Sequence, residues 1–219
     1  MPCYGTFHRT SRFRPSSTGS PVVVVAGAYS GSVEDGEPVV QPLRELAEPL
    51  IDLSGPWPWL GLQSGFDALY PKGAFYYWKS RAFAELPDEA IDEIADWAGR
   101  RPNPLTDIVI WHHGGAMSEV DEGATAYAGR DVPFHVTGEA SWDDPSLNEE
   151  AIAWGRDFWA AMGRHSTGGV YLNFPGLGEE KEALVRAGYG ANYDRLAELK
   201  AKYDPENLFR MNLNIAPAG

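Results

Sequence analysis

The chain has one cysteine, Cys3, which excludes an internal disulfide and a cysteine cage for a metal. It has no apolar run of membrane-spanning length, and the Val22–Ala28 stretch is far shorter than the ~20 residues a crossing helix needs. Basic residues are scarce: 18 Lys and Arg stand against 31 Asp and Glu, a net charge of −13. That balance argues against nucleic acid and anionic membrane surfaces as partners and suits a soluble cytoplasmic protein. Residues 1–21 contain Arg9, Arg12, Arg14 and many Ser and Thr but no apolar signal-peptide core, so they read as a disordered leader and linker. Gly114-Gly115 and Gly168-Gly169 lack the strand–Gly-x-Gly-x-x-Gly–helix setting of a phosphate cradle. No Gly-x-Ser-x-Gly elbow and no solenoid repeat is present.

Hydrophobic residues make up 43% of the 219, enough for a core of one domain with an extension. The eight Trp, ten Tyr and nine Phe fill that core or line a cleft. Val22–Tyr29 reads as a strand apolar on both faces, hence buried. Gly36–Ala47 reads as a short helix broken by Pro38 and Pro42. Aromatic-rich Ala74–Phe83, Thr106–His113, Val132–Trp142 and the short Val170–Phe174 read as further strands. Pro87–Ala98 reads as an amphipathic helix with a stripe of Ile91, Ile94, Ala95 and Ala98; Pro145–Met162 reads as a second, carrying Ala151, Trp154, Phe158 and Ala161. The expected fold is α+β: an antiparallel sheet with helices packed on one face, plus a C-terminal helical extension. Such a sheet leaves its other face to a cofactor cleft or a partner.

The last residues, Tyr203–Gly219, follow a helix patterned by Tyr193, Leu196, Leu199 and Tyr203. Asp204-Pro205 turns the chain, and Asn207, Asn212 and Asn214 alternate with Leu208, Phe209, Met211, Leu213 and Ile215. This tail resembles the C-terminal signature of the berberine bridge enzyme-like family of FAD-linked oxidases. Tyr171-Leu172-Asn173-Phe174, Tyr189-Gly190-x-Asn192-Tyr193-x-Arg195-Leu196, Gly114-Gly115-Ala116-Met117, Ala124-Thr125-Ala126-Tyr127, Tyr76-Tyr77-Trp78-Lys79 and Pro42-Leu43-Arg44 resemble family segments in the same order. The resemblance implies a substrate-binding-like α+β domain over residues 22–163 and a family C-terminal segment over 164–219. Nothing in the sequence resembles the family's FAD-binding domain, so the chain is expected to be the truncated substrate-side portion.

The resemblance implies an oxidoreductase that passes hydride from a small organic substrate (an alcohol, sugar or ring system) to FAD. Tyr171 and Glu139 are then the catalytic candidates, Glu139 with a proton affinity raised by burial. Asn173, Asn212 and Asn214 are the cofactor-binding candidates. Tyr76, Trp78, His135, Thr137 and Tyr127 are the substrate-binding candidates. Phe174 stands where several family oxidases carry a Tyr base, and a phenyl ring exchanges no proton. From strand alternation alone, Tyr171 and Asn173 share a face, as do His135, Thr137 and Glu139; the second set equally describes a solvated sheet face. Tyr76 and Trp78 are equally core residues on pattern. His112 and His113 are adjacent on a strand, point to opposite faces and do not share a metal; no metal site is expected. Tight FAD binding and activity require an FAD-binding chain, and the open sheet face also suits a homodimer. The alternative is a truncated, non-catalytic module binding a ligand or a partner.

Overall fold

The computed structural model describes residues 2–5, 22–176, 182–211 and 213–219 and divides the chain into two compact units, Met1–Ala74 and Phe75–Gly219. In the first unit, β1 (Pro2–Gly5) pairs antiparallel with both β2 (Ala28–Tyr29) and β3 (Pro56–Pro58). β1 falls inside the span expected to be a leader; the other residues of that span lie outside those described. The expected buried strand from Val22 shrinks to Ala28–Tyr29, and Val22–Val25 are exposed, Val23 at 92%. A β-branched run is buried only where strands flank it, and the described pairing of β2 with β1 is confined to Ala28 and Tyr29. α1 (Val33–Arg44) starts three residues before the expected helix and runs through Pro38 and Pro42. Ser32 caps it, its hydroxyl accepting from Asp35 N at 3.1 Å. α2 (Trp59–Ser64) follows β3.

The second unit is built on an antiparallel sheet of order β4-β6-β5: β4 (Phe75–Phe83), β5 (Asp107–His112) and β6 (Phe134–Trp142). α3 (Asp88–Gly99) joins β4 to β5, and α4 (Asn148–Met162) follows β6. The fold is α+β. α4 buries Ala151, Trp154, Gly155, Phe158 and Met162, a stripe at three- and four-residue spacing. These pack with Tyr77, Phe83, Val136, Ala140 and Trp142 of the sheet. Burying a side chain such as Phe158 or Phe83 contributes about 1.5–3 kcal/mol. Close approach depends on glycine: a Cβ at Gly138 would lie 2.5 Å from the Phe158 ring, and one at Gly155 would lie 3.0 Å from the Tyr77 ring. α3 turns differently from the expected stripe. It buries Ala90 and Ile94 and packs Trp97 on the core, while Ile91 and Ala95 are exposed.

The expected strand at Val170–Phe174 is instead a turn, closed by Phe174 N donating to Tyr171 O at 2.9 Å. Residues 167–175 still follow the free edge of β4. Thr167 N donates to Ala82 O, Ala82 N to Gly169 O and Ser80 N to Phe174 O, at 2.9–3.1 Å. α5 (Glu182–Tyr189) and α6 (Tyr193–Tyr203) close the chain, with a smaller core of Val185, Tyr193 and Ala197 against which Leu213 and Ile215 pack. The tail therefore docks partly on its own helices. Asp204 shapes its start, accepting from Leu208 N at 2.8 Å and Phe209 N at 3.0 Å, and Lys200 holds Asp204. Of the residues expected to pattern α6, Tyr193 is buried, with Ala197 one turn on, whereas Leu199 and Tyr203 are exposed.

Candidate active-site face of the second unit

Strand register sorts the sheet's side chains. Tyr77, Ala140, Val136 and Phe83 face α4; the alternate residues face the other way. On that second face the rows read Tyr76–Ser141, Trp78–Glu139–Asp107, Ser80–Thr137–Val109 and Ala82–His135–Trp111. Glu139, Thr137 and His135 thus share a face, and they are not solvated: they are 1%, 0% and 4% exposed. The solvated-face alternative is overturned for these three.

Burial sets their chemistry. Burial, with help from the neighbouring His113, pushes His135 down to about 4, so the ring is neutral at pH 7. His113 is also lowered, first by burial and then by His112. The His113 and His135 rings stack at 4.8 Å, whereas His112 stacks on Phe134 at 5.0 Å, so the adjacent histidines part to opposite faces. Among the described residues, neither His135 nitrogen has a protein hydrogen-bond partner, nor do Thr137 Oγ1 and Asp107 Oδ1. Leaving such groups sealed without partners costs about 1–3 kcal/mol each. Asp107 is pushed up to about 6 by burial, against the pull of Arg101. It went unnoticed in the sequence because its place beside Glu139 exists only through the β5–β6 register.

Tyr171 stands at the rim of this face. Ser80 Oγ accepts from Tyr171 N at 2.9 Å and donates to Tyr171 O at 3.2 Å, pinning the backbone to β4. Asn173 Nδ2 donates to the Tyr171 phenol oxygen at 2.7 Å, so the two side chains do meet, through a turn and not along a strand. The Tyr171 ring stands edge-on to His135 at 5.8 Å, to Phe174 at 5.4 Å and to Tyr127 at 6.4 Å. Phe174 touches Trp78 at 5.4 Å, and Trp78 touches Tyr76 at 5.5 Å. The candidate residues Tyr76, Trp78, Tyr127 and Tyr171 thus form, with Phe174, one half-buried aromatic band. Burial raises Tyr127, with Tyr171 adding to the shift. Asn214 lies in the docked tail, its Oδ1 buried without a partner; Asn212 lies outside the described residues. Among the described residues no group of three or more His, Cys, Asp or Glu is placed to hold a metal.

The segment from 170 to 216, which holds Tyr171, Asn173, α5, α6 and the tail, matches the family model for berberine and berberine-like proteins. An FAD-linked oxidoreductase of Dictyostelium discoideum is 27% identical over 201 residues, covering 89% of this chain. Residues 170–216 thus form a berberine-like segment, and the chain is similar to FAD-linked oxidoreductases. Another relative is the aclacinomycin-N/aclacinomycin-A oxidase of Streptomyces galilaeus, 29% identical over 174 residues and 71% of this chain. The fold matches that of a chitooligosaccharide oxidase, with a TM-score of 0.69 over 89% of this chain at 24% identity. The chain spans less than half the length of these relatives: 42%, 30% and 46%.

The family's relatives are FAD-linked. Among the described residues, the candidate site's side chains suit the planar ring of such a cofactor. The aromatic band and the Tyr171–Asn173 pair offer flat surface and edge hydrogen bonds. The helix after Gly31 opens with Glu34 and Asp35, whose charges repel phosphate. No helix among the described residues is long and apolar enough to cross a membrane.

Proposed function

We propose that this chain forms the substrate-side wall of an FAD-linked oxidoreductase acting on a small alcohol, sugar or ring-bearing substrate. The observation that carries the reading is the Tyr171 phenol, oriented by Asn173 and set beside the buried polar residues His135, Thr137 and Glu139 of one sheet face. Flavin, when bound, supplies the hydride acceptor. Tyr171, as its phenolate, takes the proton from the substrate hydroxyl while the adjacent C–H bond gives up the hydride. Glu139, sealed in the same face, is the second proton acceptor. Tyr76, Trp78 and Tyr127 hold the substrate by stacking, and His135 and Thr137 lie behind them as neutral polar backing. Asn173 orients Tyr171 and keeps a second amide hydrogen for a ring edge; Asn214 and Asn212 bond the cofactor from the tail. The pyrophosphate site comes from an FAD-binding body in the same protein or in another chain.

The test starts with the purified chain mixed with FAD, gel-filtered and read by absorbance. The chain alone is expected to retain little flavin. Supplying the FAD-binding portion of a relative in trans should restore flavin reduction by one of two probes, a chitooligosaccharide or aclacinomycin. In that reconstituted protein Tyr171→Phe should lower turnover about 100-fold or more with little change in Tm. Unchanged turnover would move the proton role to Glu139. No reduction by any probe, with flavin bound, would leave a non-catalytic ligand-binding module.

A further inference from the structure

Residues 113–133, between β5 and β6, contain only one short helical turn, Gly115–Met117, yet they are tied down at several points. Arg130 makes most of the ties. Its Nη1 donates to Met117 O at 3.2 Å, and its Nη2 donates to Thr125 Oγ1 at 2.7 Å. Its guanidinium lies 5.2 Å from the centre of the Tyr127 ring. Thr125 Oγ1 also accepts from Tyr127 N at 3.3 Å. From the other side, the Glu122 carboxylate accepts from Gly129 N at 2.7 Å and Arg130 N at 3.2 Å. Glu122 O accepts from Asn192 Nδ2 at 3.1 Å, which moors the loop to the start of α6. The backbone and ring of Tyr127 are therefore both fixed, and the ring stands against Tyr171.

We propose that Arg130 is a positioning residue for the substrate cleft, holding Tyr127 as the wall that faces the Tyr171 phenol. The proposal rests on the reading of Tyr171 as a substrate-side group. Arg130 acts through Tyr127 and Thr125, and its planar fork explains the choice of residue. Two separate acceptors and a ring face are served by one rigid guanidinium, which a lysine ammonium does not reproduce. The Met117 and Thr125 bonds tie Arg130 to two further points of the loop, and the loop ends are joined separately by His113 N donating to Pro133 O at 2.7 Å, so losing Arg130 frees Tyr127 without disturbing the sheet.

The experiment uses the full chain labelled with 3-fluorotyrosine and read by fluorine NMR, with Tyr127 and Tyr171 assigned through Tyr127→Phe and Tyr171→Phe. In Arg130→Gln the Tyr127 and Tyr171 resonances should move while those of the other tyrosines and the Tm hold. Resonances that stay in place would overturn the proposal. If Arg130→Gln fails to fold, Thr125→Val decides. It removes one Arg130 acceptor and the Tyr127 backbone tie, and the same two resonances must move. This readout needs neither flavin nor substrate, so a parent chain without turnover would sink the functional reading and leave the NMR result to judge Arg130. In an active reconstituted oxidase, Arg130→Gln should raise KM about tenfold with kcat within about twofold. A fall in kcat with KM unchanged would overturn the positioning role.

Discussion

Asp107 and His135 lie on the same sheet face, and burial favours the neutral form of each. Asp107 binds its proton more tightly folded than unfolded. Its stabilising contribution is full below about pH 3.8 and is lost as pH rises through about 6. Asp107→Asn should therefore stabilise the chain by about 1–3 kcal/mol at pH 8 and by almost nothing near pH 3.5, measured by urea denaturation at both pH values. His135 behaves in the opposite sense. Its folded value of about 4 lies below the unfolded 6.5, so stability is full above pH 6.5 and lost as pH falls toward 4. His135→Leu should flatten that acid limb by about 1–3 kcal/mol after solvent screening, seen as a smaller Tm drop between pH 7 and pH 4.5. A Tm profile identical to the parent's would show that His135 titrates normally. Alternation made the Glu139–Thr137–His135 face legible in the sequence; its burial was not, because burial depends on what the rest of the chain lays over it.

α4 and β6 depend on close approach of backbone to side chain. Gly138 sits at the centre of the sheet beneath the Phe158 ring, where added bulk has nowhere to go. Gly138→Ala should cost about 1–3 kcal/mol, read as a lower midpoint in urea, as Phe158 is forced from its rotamer. An unchanged midpoint would mean that α4 lifts off without penalty. The α4 stripe was legible because four of its core positions are large or apolar at helical spacing. α3 was misread because Ile91 is more apolar than Ala90, yet the rotation of a helix is fixed by the face that meets the sheet. Trp97, edge-on to Trp154 and Phe158, settles that rotation. The 170–174 segment was misread for a related reason. Its alternation resembles a strand, but only its ends reach the edge of β4, and Tyr171 to Phe174 turns between them.

The chain divides at Ala74, and the Trp- and Phe-rich core, the candidate site and the docked tail all belong to the second unit. Expressed alone, residues 75–219 should unfold cooperatively and keep the fluorotyrosine signature of Tyr127 and Tyr171. Loss of a cooperative transition would show that the second unit depends on the first. The tail is docked through Leu213 and Ile215 and leaves Leu208, Phe209 and Met211 exposed, the middle one at 82%.

The sequence by itself determined the fold class, the strands β4 to β6, the core helix α4 and the family resemblance, because each rests on periodicity or on short ordered motifs. Only the tertiary structure decided that the polar face of β6 is buried, that Asp107 stands beside Glu139 and that Arg130 holds Tyr127 against Tyr171. Each of those depends on strand register or on a loop folding back across the chain, and neither is written in local spacing.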